Sequence, residues 1–234
     1  REAIRALNGA WRWNRMEKVQ EEIVRMYDDL LAFYGNGNRE GLLITQLAKA
    51  EWQAQRGVAG ERFRLSGEEY GSLLEKWSRE FADLEVCAEV YLRRALLYEQ
   101  EGDLRKAYQT AEEGRKRYPK AETVKALKGV MERIETPALQ VEIPFVYPEE
   151  EAELRVTYKN LTALRMEVYR LNLTPLEVEN NRQDEYKRWV KKFGKRTEVQ
   201  RWQLKPTEDF RQTDTVIRWR MPDPGIYLLK TVPE

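Results

Sequence analysis

The apolar residues of this chain change their period at Pro137, and that switch restricts the fold more than any other feature. Upstream they recur at intervals of three and four, which lines one side of a helix. Downstream they alternate, which lines one side of a strand. One switch of period in 234 residues predicts an α+β chain with two cores of ordinary size. The expected domains are residues 1–136 and 137–234.

In the first half, Met16, Val19, Ile23, Met26, Tyr27, Leu30 and Phe33 make a predicted stripe on an amphipathic helix. Gly35, Asn36, Gly37 and Asn38 end it, because Gly and Asn accept left-handed backbone. A second helix is expected over about 39–56, stopped by Gly57. Residues 57–67 read as a loop with an isolated apolar pair, Phe63 and Leu65. Ser66 with Glu69 three residues on predicts a capping box. The helix it opens carries Tyr70, Leu73, Leu74, Trp77 and Phe81 on one face. Further helices are expected at about 83–101, 103–118 and 120–135.

In the second half, Leu139, Val141, Ile143 and Phe145 alternate with polar residues, as do Ala152, Leu154, Val156 and Tyr158. Leu164, Met166 and Val168 alternate too, and the phase then slips to Tyr169, Leu171 and Leu173, the mark of a β-bulge. Strands are also expected at 197–204, 214–221 and 225–232, the last two joined by a tight turn at Met221, Pro222, Asp223, Pro224 and Gly225. Six short strands predict an antiparallel β-sandwich. One helix interrupts it, with Tyr186, Trp189, Val190 and Phe193 at helical spacing.

The composition narrows the chemistry. The chain has no histidine, which removes the imidazole base, the Ser–His and Cys–His nucleophile pairs and the histidine metal ligand. A single cysteine, Cys87, allows no internal disulfide and no cysteine-rich zinc site. No phosphate loop, dinucleotide glycine fingerprint or serine elbow is present. Forty-one Lys and Arg against 40 Asp and Glu give no global attraction to nucleic acid or anionic lipid. The basic run at 187–196 lies among Trp189, Phe193, Trp202 and Trp219, a mixture that can bind single strands, but the aromatics fall on core positions and the basic residues on the other face. Glu149, Glu150, Glu151 and Glu153 lack the spacing of an oxygen-ligand loop. The expectation is a chain with no catalytic residues, no cofactor, no metal and no nucleic-acid partner. No apolar stretch approaches a membrane span. Any export signal is expected to lie outside these residues, which open on Arg1 without an apolar leader.

The best local pattern covers residues 87–121. Tyr91, Ala95, Tyr98, Ala107, Ala111, Gly114 and Pro119 fit the tetratricopeptide pattern in one register. Ala95 and Ala107 let two helices approach, Tyr98 is expected to fill the space between them, and Gly102 and Asp103 make the turn. Arg94 and Ala111 depart from the usual large apolar residues. No second copy is in register, so the helices are expected to form a degenerate array. Repeats of this kind take peptides on the first helix of the hairpin, here Glu89, Leu92, Arg93, Leu96, Glu99 and Gln100. Packing against the preceding helix is the competing use of that face. Cys87, Ala88, Glu89 and Val90 approach a thioester motif but fail it, since Val90 has no amide to lose.

Around the junction, Thr136, Pro137, Ala138, Leu139, Gln140 and Val141 are followed by Val146, Tyr147 and Pro148, then by Tyr158, Lys159, Asn160 and Leu161, then by Tyr169, Arg170 and Leu171. This resembles the first macroglobulin domain of bacterial alpha-2-macroglobulin-like proteins, a branch of which carries a tetratricopeptide-like helical segment in front. Pro224, Gly225, Ile226, Tyr227 and Leu228 are similar to the last hairpin of such domains. The resemblance implies a macroglobulin-type β-sandwich after a tetratricopeptide-like array. It also implies export to the periplasm or cell surface and a scaffolding part in a protease trap. Partners would be target proteases through a larger parent, or an envelope protein through the helices. Two alternatives stand beside it: a stand-alone helical-repeat interaction module with an accessory β-sandwich, and a hydrolase using an unrecognised carboxylate pair.

Overall fold

A computed structural model describes residues 2–55, 61–143, 151–172, 186–207, 209–220, 223 and 225–234, with the side chains of 2–15, 186, 187 and 193 left out. The expected features at Gly57, Phe145, Val146–Tyr147–Pro148, Glu149–Glu150, Leu173, Met221–Pro222 and Pro224, and the side chains of Tyr186 and Phe193, lie outside the described residues. The chain divides into two compact units, residues 1–133 and 134–234. It is a mixed α+β fold: a helical region, then two small antiparallel sheets with a helical insertion.

The helical part contains α1 (Glu2–Tyr34), α2 (Arg39–Ala54), α3 (Gly67–Glu80), α4 (Ala88–Gln100), α5 (Leu104–Arg117) and α6 (Val124–Glu135). Their ends follow local chemistry. Asn38 accepts from Gly41 N to cap α2. Ser66 caps α3 in a complete capping box with Glu69. Asp103 accepts from Lys106 N to cap α5, after Gly102 has turned the chain at φ +80. α4 begins later than the spacing predicts, because a 3-10 turn occupies Glu85–Cys87.

The core of this unit includes Leu43, Leu47, Leu74, Phe81, Val90, Ala95, Ala107, Ala111 and Leu127, each 2 % exposed or less. The α4–α5 hairpin closes on small residues, as its sequence requires. Its filling ring is Tyr91, 3 % exposed, whereas Tyr98 is only half-buried with the Lys106 ammonium over its face. Tyr91 fits because Gly114 opposite it has no Cβ. A methyl built there would stand 2.6 Å from Tyr91 Cβ.

The predicted stripe of α1 is mostly exposed. Met16, Val19, Met26, Leu30 and Phe33 are 43–72 % exposed. α2 covers only one edge of the stripe, where Ile23 and Tyr27 are half-buried and the Tyr27 ring meets Trp52, and beyond it Tyr34 packs on Gly41.

The second unit builds one sheet from β1 (Ala138–Glu142), β2 (Glu151–Lys159) and β5 (Thr213–Arg220), in the order β1-β2-β5. The other is β4-β3-β6, from β3 (Ala163–Leu171), β4 (Gly194–Gln203) and β6 (Ile226–Pro233), with α7 (Tyr186–Phe193) leading into β4. Every pairing is antiparallel. The six described strands thus form two small three-stranded sheets. Ala152, Leu154, Val156 and Tyr158 of β2 meet Leu164, Met166 and Val168 of β3 and Ile217 and Trp219 of β5 in a single apolar cluster. Full burial of a large apolar side chain contributes roughly 1.5–3 kcal/mol, so this cluster is the main stabilising feature of the unit.

Two expectations change. Ile143 is 47 % exposed, and β1 stops at Glu142. The phase slip read in β3 coincides with a register shift between Val168 and Tyr169, but the extra residue is on the facing strand: Val168 pairs with Glu198 and Tyr169 with Arg196, leaving Thr197 between. β3 itself pairs without interruption with β6. Asn160 makes the turn from β2 to β3 at φ +56. Its side chain ties the turn to the end of α6, Nδ2 donating to Ile134 O at 2.8 Å and Glu135 O at 3.0 Å.

Candidate functional site: the open face of α4

Helix α4 turns Val90, Tyr91 and Ala95 inward, which leaves another side with Leu96 and Gln100 exposed and Glu89 and Arg93 half-buried. Two cavities meet on that side, and Arg93 lines both. The larger, about 580 Å³, has an apolar wall from Leu65, Leu96 and Leu97, with Glu51, Arg64, Gln100 and Glu101 around it. The smaller, about 470 Å³, is lined by Ile44, Leu47 and Val86 and by the acidic residues Glu40, Glu85, Glu89 and Glu122, with Arg93 and Lys120 as its cations.

Arg93 is held between two helices. Its Nε donates to Glu51 Oε2 of α2 at 3.1 Å, and its Nη1 to Glu89 Oε2 one turn earlier at 2.5 Å. Glu89 also accepts from the Thr123 hydroxyl. Burial pulls the Arg93 pKa down, but the Glu89 hydrogen bond and the charges of Glu51 and Glu89 outweigh it, so the guanidinium stays charged above its ordinary range. Both carboxylates are thereby committed to one cation. Nearby, Tyr70 is 8 % exposed, and burial with the neighbouring Glu51 charge pushes its phenol up to about 12. Gln53 Nε2 donates to Phe63 O at 2.9 Å and Leu65 N to Gln53 O at 3.0 Å, which fastens the 61–65 segment to α2 beside the larger cavity.

Four of the six residues expected on the partner face line these cavities: Glu89, Arg93, Leu96 and Gln100. Leu92 is half-buried and lines neither. Glu99 is engaged elsewhere, with Arg133 Nη2 of α6 at 2.8 Å. Sequence reasoning missed Glu51, Ile44 and Leu47 of α2 and the opposite wall at Arg64 and Leu65. The isolated apolar pair Phe63 and Leu65 in a polar stretch was the available signal.

The other motifs resolve plainly. Cys87 is fully buried, its Sγ 3.9 Å from Ser78 O and 4.0 Å from Trp77 O, and burial raises its thiol pKa, which disfavours a reactive thiolate. On α7, Arg188, Lys191 and Lys192 are exposed while Trp189 and Val190 are half-buried. Among the described residues no three His, Cys, Asp or Glu side chains gather as metal ligands. No described helix is long and apolar enough to cross a membrane. No protein-family model, characterised protein or solved structure matches this chain.

Proposed function

We propose that this chain is a protein-interaction module whose helical unit holds an extended peptide segment of a partner along the open face of α4, with the β unit as an accessory. The carrying observation is the pair of cavities joined at Arg93, one with an apolar wall and one with an acidic excess. An apolar side chain of the partner would lie against Leu96 and Leu97, and a basic one would point to Glu40, Glu85 and Glu122. Recognition of this kind uses a few apolar anchors for affinity and charge for register. The small-residue packing of the α4–α5 hairpin supports a tetratricopeptide-like reading of this unit, and the same reading assigns it binding without catalysis. Peptides selected by display on the purified chain test it. Leu96→Arg, at an exposed position, is expected to weaken them about tenfold or more, a loss of roughly 1.4 kcal/mol. Peptides that bind both forms equally, or a library that yields none, would overturn it.

A second reading is favoured by the turn at Asn160. The residues Tyr158 to Leu161 that carry the macroglobulin resemblance include a left-handed Asn with its side chain bonded to the Ile134 and Glu135 carbonyls. In that reading the β unit is a macroglobulin-type sandwich serving as scaffold in an exported protease trap at the periplasm or cell surface. The natural full-length protein would then retain an added protease that still cleaves small substrates but not large ones. Recovery of the protease free and fully active would exclude it.

A further inference from the structure

We infer that a third cavity, between α3, α4 and α5, binds a phosphate monoester. It holds about 430 Å³ and takes its lining from all three helices. It lies where the sequence departs from the repeat pattern, since Arg94 stands at the position of a large apolar residue. The half-buried Arg94 guanidinium lies over the Tyr91 ring, 5.8 Å from its centre, and its Nη1 donates to Ser78 Oγ of α3 at a long 3.4 Å. Arg117 reaches the same ring from α5, its Nη1 donating to the Tyr91 hydroxyl at 3.3 Å. Arg117 also lies over Tyr118, and the two tyrosine rings pack 5.7 Å apart, each 3 % exposed. Two guanidiniums are thus held in place on one buried pair of rings, an arrangement favoured by the attraction of cations to aromatic faces.

Charge and donor geometry select the ligand. Among the described residues neither Arg94 nor Arg117 meets a carboxylate at ion-pair distance; their bonds go to hydroxyls. The carboxylates of the cavity are placed elsewhere: Glu75 pairs with Arg79 on α3, and Glu113 accepts from the Tyr91 hydroxyl at 3.1 Å. The lining therefore sets three guanidiniums against two carboxylates. A guanidinium has five N–H donors, and Arg94 and Arg117 each spend one on the contacts just described. A carboxylate presents two oxygens in one plane, which a single guanidinium satisfies in bidentate fashion. A phosphate monoester presents three strong acceptor oxygens in a tetrahedral spread and close to two negative charges. It can accept from Arg94 and Arg117 together although they come from different helices. Arg79 can join them, because its pair with Glu75 is exposed and exchanges at little cost. The ester belongs either to a phosphorylated serine of a protein or to a small molecule, and the recognised group is the same.

No lining residue is shared with the cavities beside Arg93, so this inference stands independently of the peptide groove. Isothermal titration of the whole chain at low salt tests it with four probes: glycerol 3-phosphate, a short phosphoserine peptide, the same peptide unphosphorylated, and succinate as a dicarboxylate. A phosphate probe should bind at millimolar concentration or below, and the last two should not. Tighter binding of the phosphopeptide assigns the ester to a protein, and binding of glycerol 3-phosphate as tight or tighter assigns it to a small molecule. Arg117→Gln, at an exposed position, should weaken the bound probe about tenfold or more with an unchanged helical spectrum. Arg94→Gln should do the same. Arg25→Gln, which removes an equal charge from exposed α1 surface, should leave binding as it is. Failure of both phosphate probes to bind overturns the inference. So does equal binding of succinate or of the unphosphorylated peptide, an Arg117→Gln chain that binds as the wild type does, or an equal loss in Arg25→Gln.

Discussion

The same substitution, Gly to Ala, should have opposite signs at two helical positions, and the structure fixes both. In a helix interior alanine is favoured over glycine by about 1 kcal/mol. At Gly129 on α6 the added methyl meets only Arg133 Nη1, at 4.0 Å. Gly129→Ala should therefore stabilise the chain by roughly 0.5–1 kcal/mol. At Gly114 on α5 the methyl would stand 2.6 Å from Tyr91 Cβ, 3.0 Å from its Cγ and 3.3 Å from Leu127 Cδ1. Non-bonded carbons rest near 3.5–4.0 Å, so α4 and α5 must part by about 1 Å. There is no slack to absorb this, because Ala95, Ala107 and Ala111 around the contact are fully buried. Nor would a smaller side chain at position 91 relieve it, since the clash is with Cβ. Overpacking of a tight core costs roughly 1–3 kcal/mol. Because Tyr91 Cβ cannot rotate away, the cost falls at about 2–3 kcal/mol, which exceeds the propensity gain and leaves Gly114→Ala destabilised by about 1–2 kcal/mol. Urea unfolding followed by far-UV circular dichroism measures both, with the two variants about 1.5–3 kcal/mol apart. A Gly114→Ala chain as stable as the wild type would refute the close packing of Tyr91 on Gly114.

Three further outcomes follow from local geometry. Ser66→Ala removes the hydroxyl half of the α3 capping box, leaving the residue 66 N–H on the Glu69 carboxylate, and should cost about 1 kcal/mol. The Ser66 backbone hydrogen bond, then its hydroxyl, lowers the Glu69 pKa, so this stabilisation is present above the unfolded carboxyl value and lost as pH falls through the folded one. The gap between wild type and variant in thermal melts should shrink on acidification, and a pH-independent gap would contradict the pairing. Asn160→Ala should destabilise the β unit more than Asn160→Gly: both lose the bonds to Ile134 O and Glu135 O, but only alanine also bears about 1 kcal/mol or more for φ +56. Tryptophan-fluorescence unfolding reads the difference, and equal losses would remove the backbone argument. Burial raises the Tyr70 phenol from 10.0 to about 12, so its neutral form contributes stability below pH 10 that is lost as pH climbs through 12. Tyr70→Phe should show a flatter alkaline stability curve in that window, and an unchanged slope would place the ionisation elsewhere.

Part of the candidate site was legible before the fold was known. Spacing along α4 put Glu89, Arg93, Leu96 and Gln100 on one side because four residues make about one helical turn. It equally put Leu92 and Glu99 near that side, and only the position of α6 shows Glu99 bound to Arg133. The opposite wall was invisible, since Glu51 is 42 residues from Arg93 and no local pattern joins them.

By itself the sequence determined what depends on neighbours within a turn or two of chain: the switch of period at Pro137, the element order, the Ser66–Glu69 and Asp103 caps, and the turn at Gly102. These follow from backbone geometry and hydrogen bonds that any chain with those residues would make locally. Tertiary structure alone decided which side of α1 is covered, that Tyr91 rather than Tyr98 fills the hairpin, and that the extra residue opposite Val168 sits in β4. It also set the strand orders β1-β2-β5 and β4-β3-β6. Each is a choice between locally equivalent alternatives, two apolar sides of one helix, two rings seven residues apart, two strands of one ladder. Such a choice is settled only by surfaces brought from distant parts of the chain.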